Sequence, residues 1–317
     1  MNIKKVAIVL VTFNRLDKLK ISIKCYEKQT YKFSRMIIVN NDSSDGTKEF
    51  LDYWKNISAD YNKDVIHLNE NIGGAGGFGT GMDYALNLIK SNQDDFGWII
   101  VSDDDAFPKE DAIEKMLNYY NNKTQDEKEE IVALSSAILN HGEIHESHRS
   151  IIEKTLLRLK FIGVDKKYYD QEAFRIDLFS YVGTMIKISA LFDAGTTNKD
   201  LFIYGDDNEH SIRLGKVGKM FCVTNSIYIH DTPGVESRKI GWSNYYNRRN
   251  QLYILKKYFP KRYFLLRLVK RQILDASFLS KNTRSEKEIF KEAHHDAVSG
   301  KLGKHAKYKP GFIIEES

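Results

Sequence analysis

Three consecutive carboxylates, Asp103-Asp104-Asp105, follow an apolar run at residues 98–102. The run predicts a buried strand, and adjacent negative charges at its end repel each other unless a cation or water lies between them. Alternate side chains of an extended segment share a face, so Asp103 and Asp105 can point the same way. Such oxygens suit Mg²⁺ or Mn²⁺ shared with a diphosphate. The alternative is a helix-capping cluster ahead of Pro108, because proline and acids both favour a first helical turn.

A second candidate is the glycine-rich segment 71–81, which contains six glycines. Backbone amides approach a phosphate or a sugar closely only where side chains are absent. The candidate phosphate or sugar contacts here are Asn71, Gly73, Gly74, Gly76 and Gly77. The segment contains a G-x-G-x-x-G match, which is a weak signal among so many glycines, and it has no lysine for a P-loop. A flexible surface loop is the alternative.

Two further groups have the residue types of a catalytic site. Asp206, Asp207 and Glu209 lie in a glycine-containing turn before a predicted helix at residues 211–214, and His230 ends a strand-like run at 221–229. A carboxylate next to an acceptor hydroxyl can serve as a general base, and a histidine can bind a metal ion. The alternatives are helix caps for the acids and an ordinary polar strand end for the histidine.

The predicted elements would bring these groups together. Strands at 5–11, 35–40, 65–68 and 98–102 alternate with helices at 17–29, 47–53 and 82–90. This alternation predicts an α/β fold with a mostly parallel sheet and helices on both faces. Ligands of such sheets bind at the carboxyl ends of the strands. We therefore expect Asn14, Asp42, the glycine-rich segment and the three aspartates to meet in one crevice.

The order of the motifs resembles that of glycosyltransferase family 2. The superfamily's opening is matched at residues 9–15 and again at 39–47, where the sequences are VLVTFNR and VNNDSSDGT. The bacterial galactofuranosyltransferase branch is matched by segment 71–78, the aspartate run, Asp206-Asp207-x-Glu209 and His230. Residues 245–253 resemble that branch and its rhamnosyltransferase relatives. The resemblance covers about residues 5–255.

This resemblance implies a GT-A fold, an inverting mechanism and a Mn²⁺ or Mg²⁺ cofactor. It implies nucleotide binding by Thr12, Phe13, Arg15 and Asp42, with Asp103 near the ribose and Asp104 beside the metal ion. It implies metal binding by Asp105 and His230, catalysis by Asp207 with help from Asp206, and acceptor binding by Asp206, Trp242, Arg249 and Asn250. One departure is Gly205, where galactofuranosyltransferases carry tryptophan, and this affects acceptor packing.

Composition limits the other classes. Two cysteines, Cys25 and Cys222, do not form a disulfide framework or a zinc spacing, and no stretch approaches the roughly 20 apolar residues of a membrane span. Residues 256–317 carry 15 Lys/Arg against 7 Asp/Glu, although the whole chain is only +5. A near-neutral body with a basic tail argues against a nucleic-acid partner. We expect a cytoplasmic protein with a transferase domain at 1–250 and a basic helical extension at 251–317.

The resemblance implies transfer of galactofuranose from UDP-galactofuranose to a cell-surface glycan on a lipid carrier, such as a lipopolysaccharide O-antigen or a capsule. The rivals are a rhamnosyltransferase that uses dTDP-rhamnose, an NAD-dependent oxidoreductase that uses the glycine-rich segment, and a sugar-binding protein without turnover. The segment after Pro260 alternates cations with apolar residues at helical spacing. It predicts either a solvated helix packed on the domain or an in-plane helix at the inner face of the cell membrane.

Overall fold

The computed structural model describes residues 5–232, 240–276 and 284–313. Its strands are β1 (Val6–Thr12), β2 (Arg35–Asn40), β3 (Asn62–His67), β4 (Trp98–Asp103), β5 (Ala106–Pro108), β6 (Ile131–Asn140), β7 (Glu143–Ile144), β8 (Arg149–Lys154), β9 (Leu159–Gly163), β10 (Ala173–Ile176), β11 (Leu178–Phe179), β12 (Thr184–Lys187) and β13 (Lys219–His230). Its α-helices are α1 (Leu16–Glu27), α2 (Thr47–Asn56), α3 (Gly73–Lys90), α4 (Ala112–Asn121), α5 (Gln125–Glu130), α6 (Ile188–Ala194), α7 (Asp206–Leu214), α8 (Trp242–Tyr258), α9 (Lys261–Ala276) and α10 (Arg284–Ser299).

The central sheet has the strand order β10-β13-β6-β12-β4-β1-β2-β3, with β5 and β7 paired at its side. Strands β3, β2, β1 and β4 run parallel to one another. β12 runs antiparallel to both β4 and β6, so β6 and its parallel partner β13 share the direction of β4. A second, three-stranded sheet has the order β11-β8-β9. The predicted α/β fold with a mostly parallel sheet is confirmed.

The sheet is buried on both faces, as a doubly covered α/β sheet requires. Along β1, Val6, Ile8 and Leu10 pack into one core, and the alternating residues Ala7, Val9 and Val11 pack into the other. The register sets Thr12 opposite Asn40 and Val11 opposite Asp103. The ends of β1, β2 and β4 therefore lie side by side at one edge, where the polar motifs follow them.

The predicted start of the third helix near Met82 is wrong. Helix α3 begins at Gly73, so most of the glycine-rich segment is helical and is not a loop. The glycines allow this helix to pack very close to its neighbours. A Cβ atom at Gly77 would lie 2.5 Å from Val11 Cγ1, and one at Gly73 would lie 1.9 Å from the Phe202 carbonyl oxygen. Only residues without a side chain fit there, so the glycines mark close packing and not flexibility.

Helices form residues 251–258, 261–276 and 284–299 of the basic extension, as predicted, whereas residues 300–313 lie outside any helix. Helix α8 is continuous across residue 250, and α10 packs along it. A cluster formed by Phe202, Tyr245, Tyr246, Ile289, Ala293 and Tyr308 joins the transferase body to these helices. The division into two domains at residue 250 stays a prediction. Among the described helices, none has both the length and the apolar character that crossing a membrane demands.

Candidate active site

The aspartate run lies at the carboxyl end of β4, in the middle of the sheet. Asp103 is half-buried, whereas Asp104 and Asp105 are buried in the short link to β5. The Thr12 hydroxyl donates a 2.7 Å hydrogen bond to Asp104 Oδ2. Arg15 Nη1 lies 2.5 Å from Asp105 Oδ2 and 3.3 Å from Asp104 Oδ1. The loop after β1 therefore supplies a hydroxyl and a cation to the acids of the neighbouring strand.

Asp103, Asp105 and His230 form a candidate metal site. One ligand atom from each of the three lies within 4.8 Å of the others. Pairing of β13 with β5 sets His230 opposite Ala106, which brings the imidazole to the aspartates. Asp105 Oδ1 is 3.3 Å from His230 Nε2, yet among the described residues this buried oxygen has no hydrogen-bond partner. A buried carboxylate oxygen without a donor is a ready cation ligand, so these residues fit a divalent metal ion.

Burial and neighbouring charges set the protonation of the three aspartates. Burial, and then repulsion from Asp105 and Asp104, hold the pKa of Asp103 well above its usual value. Burial raises the pKa of Asp104 to about 6. Burial also opposes ionisation of Asp105, but the nearby His230 and Arg15 outweigh it and hold its pKa below the usual value. Asp105 is therefore the most firmly ionised of the three, as suits the main ligand of a cation.

His148 lies behind His230 and was not among the residues that the sequence singled out. His230 Nδ1 is 3.3 Å from His148 Nε2, and His148 Nδ1 is 2.7 Å from Ser180 Oγ. Burial lowers the pKa of His148 to about 2, so this ring is neutral. If it donates from Nδ1 to Ser180, its Nε2 accepts from His230 Nδ1 and leaves His230 Nε2 free to bind a metal ion. Three histidines between residues 141 and 148 were the available signal.

The second acidic group begins helix α7. Gly205 takes a left-handed conformation, with φ +78°, and Asp206 and Asp207 follow in the first helical turn. The helix N-terminus favours negative charge there. Burial, and then repulsion from Asp207, raise the pKa of Asp206 to about 8, whereas burial raises the pKa of Asp207 to about 6. A negative charge on Asp206 is the smallest of the influences that raise the pKa of Asp103, so these two carboxyls are near enough to interact.

Arg149 is a fully buried cation that the sequence did not reveal. It begins β8 and donates to the carbonyl oxygens of Ser136 (2.9 Å), His148 (2.7 Å) and Val182 (2.6 Å). Among the described residues it has no carboxylate within ion-pair distance. Its charge helps to lower the pKa of His148 and favours the ionised form of Asp207. This buried arginine therefore keeps His148 neutral and supports the negative charge of Asp207.

Two loops at the ends of β1 and β2 border the site on another side. Phe13 is 38% exposed, and Asp42 is exposed with a left-handed φ of +63°. Asn14 is also left-handed, at φ +52°, and its Oδ1 accepts a 2.7 Å hydrogen bond from the Ser44 amide. Non-glycine residues in this region of backbone space are strained and cluster at ligand-binding loops. The predicted nucleotide contacts Thr12, Phe13, Arg15 and Asp42 thus lie at the same edge as the aspartates.

Asn71 shapes the turn into α3. Its Oδ1 accepts hydrogen bonds from the Gly73 amide at 2.8 Å and from Asn41 Nδ2 at 3.2 Å. Asn41 Oδ1 accepts in turn from the Ile72 amide at 3.0 Å, a bridging role that sequence reasoning missed. Gly76 packs against Ile72, but a Cβ atom at Gly74 would meet nothing within 4 Å. Of the predicted glycine contacts, Gly74 is therefore the one that faces open space.

The predicted acceptor residues occupy two kinds of environment. Trp242 is half-buried at the start of α8, and its ring centroid lies 6.0 Å from that of Tyr204. Arg249 and Asn250 are buried. Asn250 Nδ2 donates to the carbonyls of the segment that leads into α7, at Leu201 (3.0 Å), Ile203 (2.8 Å) and Tyr204 (2.7 Å). Arg249 donates to Leu201 (2.9 Å) and Gly303 (2.7 Å). Both side chains hold the segment that presents Asp206 and Asp207.

The chain belongs to glycosyl transferase family 2, which matches residues 7–179, more than half of its length. No curated protein is similar enough in sequence to match it. Its fold is similar to that of GalNAc-T7 with UDP, GalNAc and Mn²⁺, at a TM-score of 0.63 and 16% identity over 94% of this chain and 58% of that one. It is also similar to residues 1–349 of S. aureus TarS, with UDP (TM-score 0.56, 13% identity, 94% and 81% covered) and with UDP-GlcNAc (0.56, 14%, 93% and 81%).

Family and fold therefore confirm the predicted class, a glycosyltransferase with a GT-A fold. The chain spans 58% of the length of the GalNAc-T7 structure. Identities of 13–16% establish a shared fold and leave the donor sugar, the acceptor and the stereochemistry to be tested. The family and the start of α3 at Gly73 explain the glycine-rich segment without an NAD-dependent oxidoreductase.

Proposed function

We propose that the protein transfers galactofuranose from UDP-galactofuranose to a glycan acceptor, with inversion at the anomeric carbon and with Mn²⁺ or Mg²⁺ as cofactor. The observation that carries the proposal is the cluster of Asp103, Asp105 and His230, whose Asp103 interacts electrostatically with Asp206 of the second acidic group. A nucleotide-sugar transferase needs both groups: one for the diphosphate and one for the acceptor hydroxyl.

The donor would lie along the ends of β1, β2 and β4. Phe13 offers an exposed ring for the base, and Asp42 offers a carboxylate for the ribose. The open backbone at Gly74, at the start of α3, allows a close approach by the sugar or the diphosphate. UDP in the TarS and GalNAc-T7 structures is consistent with a uridine donor.

Asp105 and His230, with Asp103 beside them, would hold the cation. A bound divalent cation offsets the charge that develops on the leaving diphosphate. Arg15 Nη1 lies within 3.3 Å of Asp104 and Asp105, the acids beside the proposed cation. Its positive charge would therefore also help to offset the charge of the leaving diphosphate.

Asp207 would act as the general base. Its pKa of about 6 leaves it ionised at neutral pH, whereas Asp206, at about 8, is protonated and can donate a hydrogen bond. In a single displacement the acceptor oxygen bonds to the anomeric carbon, and the bond from that carbon to the diphosphate oxygen breaks. The leaving UDP takes the electron pair, and Asp207 takes the acceptor's proton. The reaction therefore needs no enzyme nucleophile and inverts the anomeric centre.

The acceptor would pack against Trp242 and Tyr204, next to Asp206. Arg249 and Asn250 would act on it through the 201–204 segment that they hold. We place this acceptor on a lipid carrier at the inner face of the cell membrane, as for a lipopolysaccharide O-antigen, a capsule or another cell-envelope polysaccharide. The motivation is the basic extension beside a sugar-transfer site.

Release of free nucleotide tests the donor. Purified protein is incubated with Mn²⁺ and, separately, UDP-galactofuranose, UDP-galactopyranose, UDP-GlcNAc or dTDP-rhamnose. We expect nucleotide release to be at least ten-fold faster from UDP-galactofuranose than from the others. Preference for dTDP-rhamnose would favour the rhamnosyltransferase relatives, and preference for another UDP-sugar would refute galactofuranose while leaving the transferase class intact.

A further inference from the structure

The turn between β8 and β9 carries two leucines at central positions, where leucine is a disfavoured residue. Thr155 and Arg158 close the turn: the Thr155 amide donates to the Arg158 carbonyl at 2.8 Å, and the Arg158 amide donates to Thr155 Oγ1 at 3.1 Å. Leu156 and Leu157 occupy its centre and are 73% and 66% exposed. Glycine, asparagine, aspartate and proline are the residues that favour such positions. The backbone conformation of the turn therefore does not explain why leucines occupy these positions. Core packing does not explain it either, because both side chains are exposed.

Helix α9 lies against the same hairpin. The Tyr263 hydroxyl donates a 2.8 Å hydrogen bond to the Thr155 carbonyl, and Leu159 packs with Tyr263 and Phe264 in one apolar cluster. The buried side of α9 is thereby occupied by the protein itself. Its other side carries Leu265, Leu266 and Val269, which are 55%, 38% and 50% exposed. Exposed apolar side chains of the β8–β9 turn and of α9, about 100 residues apart in sequence, thus lie on either side of the contact between Tyr263 and Thr155.

The surroundings of these apolar residues are cationic. Exposed cations stand at Lys154, Arg158, Lys160, Lys261, Arg262, Arg267 and Lys270, and neither 154–160 nor 261–270 contains an acid. Within the described parts of the chain, none of these cations has a carboxylate within ion-pair distance. Exposed apolar side chains among cations that lack carboxylate partners match the interface of an anionic bilayer, which takes up the apolar groups and attracts the cations.

We propose that the β8–β9 turn and the exposed side of α9 form one membrane-docking surface, which binds an anionic phospholipid bilayer through Leu156 and Leu157. The surface extends the proposed function, because it names the part of the molecule that would face the membrane carrying the acceptor. Vesicle binding requires neither donor nor acceptor. The protein can therefore fail to bind vesicles and still catalyse transfer, or bind vesicles without catalysing transfer.

The hairpin also relates this surface to the active site. Arg149 starts β8 beside His148, and Leu156 lies eight positions after His148, beyond the six residues of this strand. At about 3.3 Å per residue, the turn lies up to roughly 25 Å from the His148–His230 pair. With the turn at the bilayer interface, the reacting sugar would lie no more than about 25 Å from Leu156, a distance that a glycan of several sugars on a lipid carrier could span.

Flotation with vesicles tests the surface. The full chain is mixed with phosphatidylcholine vesicles that contain either no anionic lipid or about one-third phosphatidylglycerol. We expect binding to the anionic vesicles, at least ten-fold weaker binding of the L156S/L157S double variant, and weaker binding of R158Q/K261Q that is most evident at low salt. Y53S/I57S is the matched control, since Tyr53 and Ile57 are exposed apolar residues at α2 beside the β3 end of the sheet, and it should bind as the parent does.

Thermal unfolding and the rate of nucleotide release from the donor verify that each variant is folded. Absence of parent binding to anionic vesicles would overturn the proposal, as would parental binding by L156S/L157S. Binding that salt abolishes and that the leucines do not affect would indicate plain electrostatic adsorption and would also overturn it. Self-association in sedimentation that L156S/L157S abolishes, without vesicle binding, would reassign the surface to contacts between copies of this chain.

Discussion

The proton on His230 decides which of its nitrogens can bind a metal ion. His148 accepts at Nε2 only if its own proton is on Nδ1, toward Ser180. His148→Ala removes this acceptor, so the His230 ring loses its fixed tautomer and orientation. Partners of this kind typically contribute 10–100-fold to metal affinity. We expect Mn²⁺ affinity, measured by calorimetry, to fall about ten-fold or more. His67→Ala, at the end of β3, is the control, and equal affinities in the two variants would remove His148 from the site.

Asp207 tests catalysis apart from binding. Asp207→Asn keeps the size of the side chain but removes the proton acceptor, so we expect kcat to fall at least about 10²-fold. Donor affinity should stay within a few-fold of the parent, because the base acts on the acceptor during attack. Single-turnover transfer and donor calorimetry measure the two quantities. Near-parental kcat in this variant, with a dead Asp206→Asn or Glu209→Gln, would show that the base lies elsewhere.

The pH dependence should follow from the same pair. The pKa of Asp207 is raised to about 6 by burial, and a base works only when ionised, so kcat/KM should be lost as the pH falls through about 6. Asp206, with a pKa of about 8, is protonated at pH 6 and adds no repulsion there. The acidic limb should therefore stay near pH 6 in Asp206→Asn. A limb near pH 4 in the parent would contradict the assignment of Asp207.

The glycines of α3 differ in the space available beside them, so substitutions at these positions test how closely the helix packs on the sheet. A Cβ atom at Gly77 would lie 2.5 Å from Val11 Cγ1, whereas one at Gly74 meets nothing. Gly77→Ala should lower the free energy of unfolding by about 1–3 kcal/mol, the usual effect of overpacking. Gly74→Ala should leave that free energy nearly unchanged and weaken donor binding. Denaturant titration and calorimetry measure both. Equal stabilities would mean that α3 is not packed as described.

The strands around the site were predictable because their signals are local. Runs such as Arg35–Asn40 are apolar and end in polar residues, so the alternation of strands and helices was enough to place Asp42 and Asp103 at the same edge of the sheet. The start of α3 was not predictable, since glycine disfavours a helix and the compensating contact comes from Phe202, far along the chain. His148 and Arg149 were missed for the same reason: their partners are Ser180, Val182 and His230, and only the folded chain brings these together.

Arg249 and Asn250 tie the helical extension to the transferase body. If Asn250 holds the 201–204 segment, Asn250→Ala removes the side-chain donor of the Ile203 and Tyr204 carbonyls and leaves Leu201 with Arg249, so stability should fall by about 1–3 kcal/mol. The shared cluster around Phe202 and Tyr246 further predicts that parent and variant each unfold in one cooperative transition. Calorimetric unfolding checks both statements. Two separate transitions in the parent would support independent domains, and unchanged stability with a raised acceptor KM would favour direct contact with the acceptor.

The central claim is that the cation held by Asp103, Asp105 and His230 is required for sugar transfer from a nucleotide donor. The most direct measurement is the initial rate of UDP release from UDP-galactofuranose as Mn²⁺ is removed with EDTA and then restored, in the parent and in Asp105→Ala. We predict that the parent falls to background in EDTA and recovers with Mn²⁺ or Mg²⁺, and that Asp105→Ala stays low at every metal concentration because Asp105 links the cation to the protein. Full activity in EDTA, or a parental metal response in Asp105→Ala, would contradict the account.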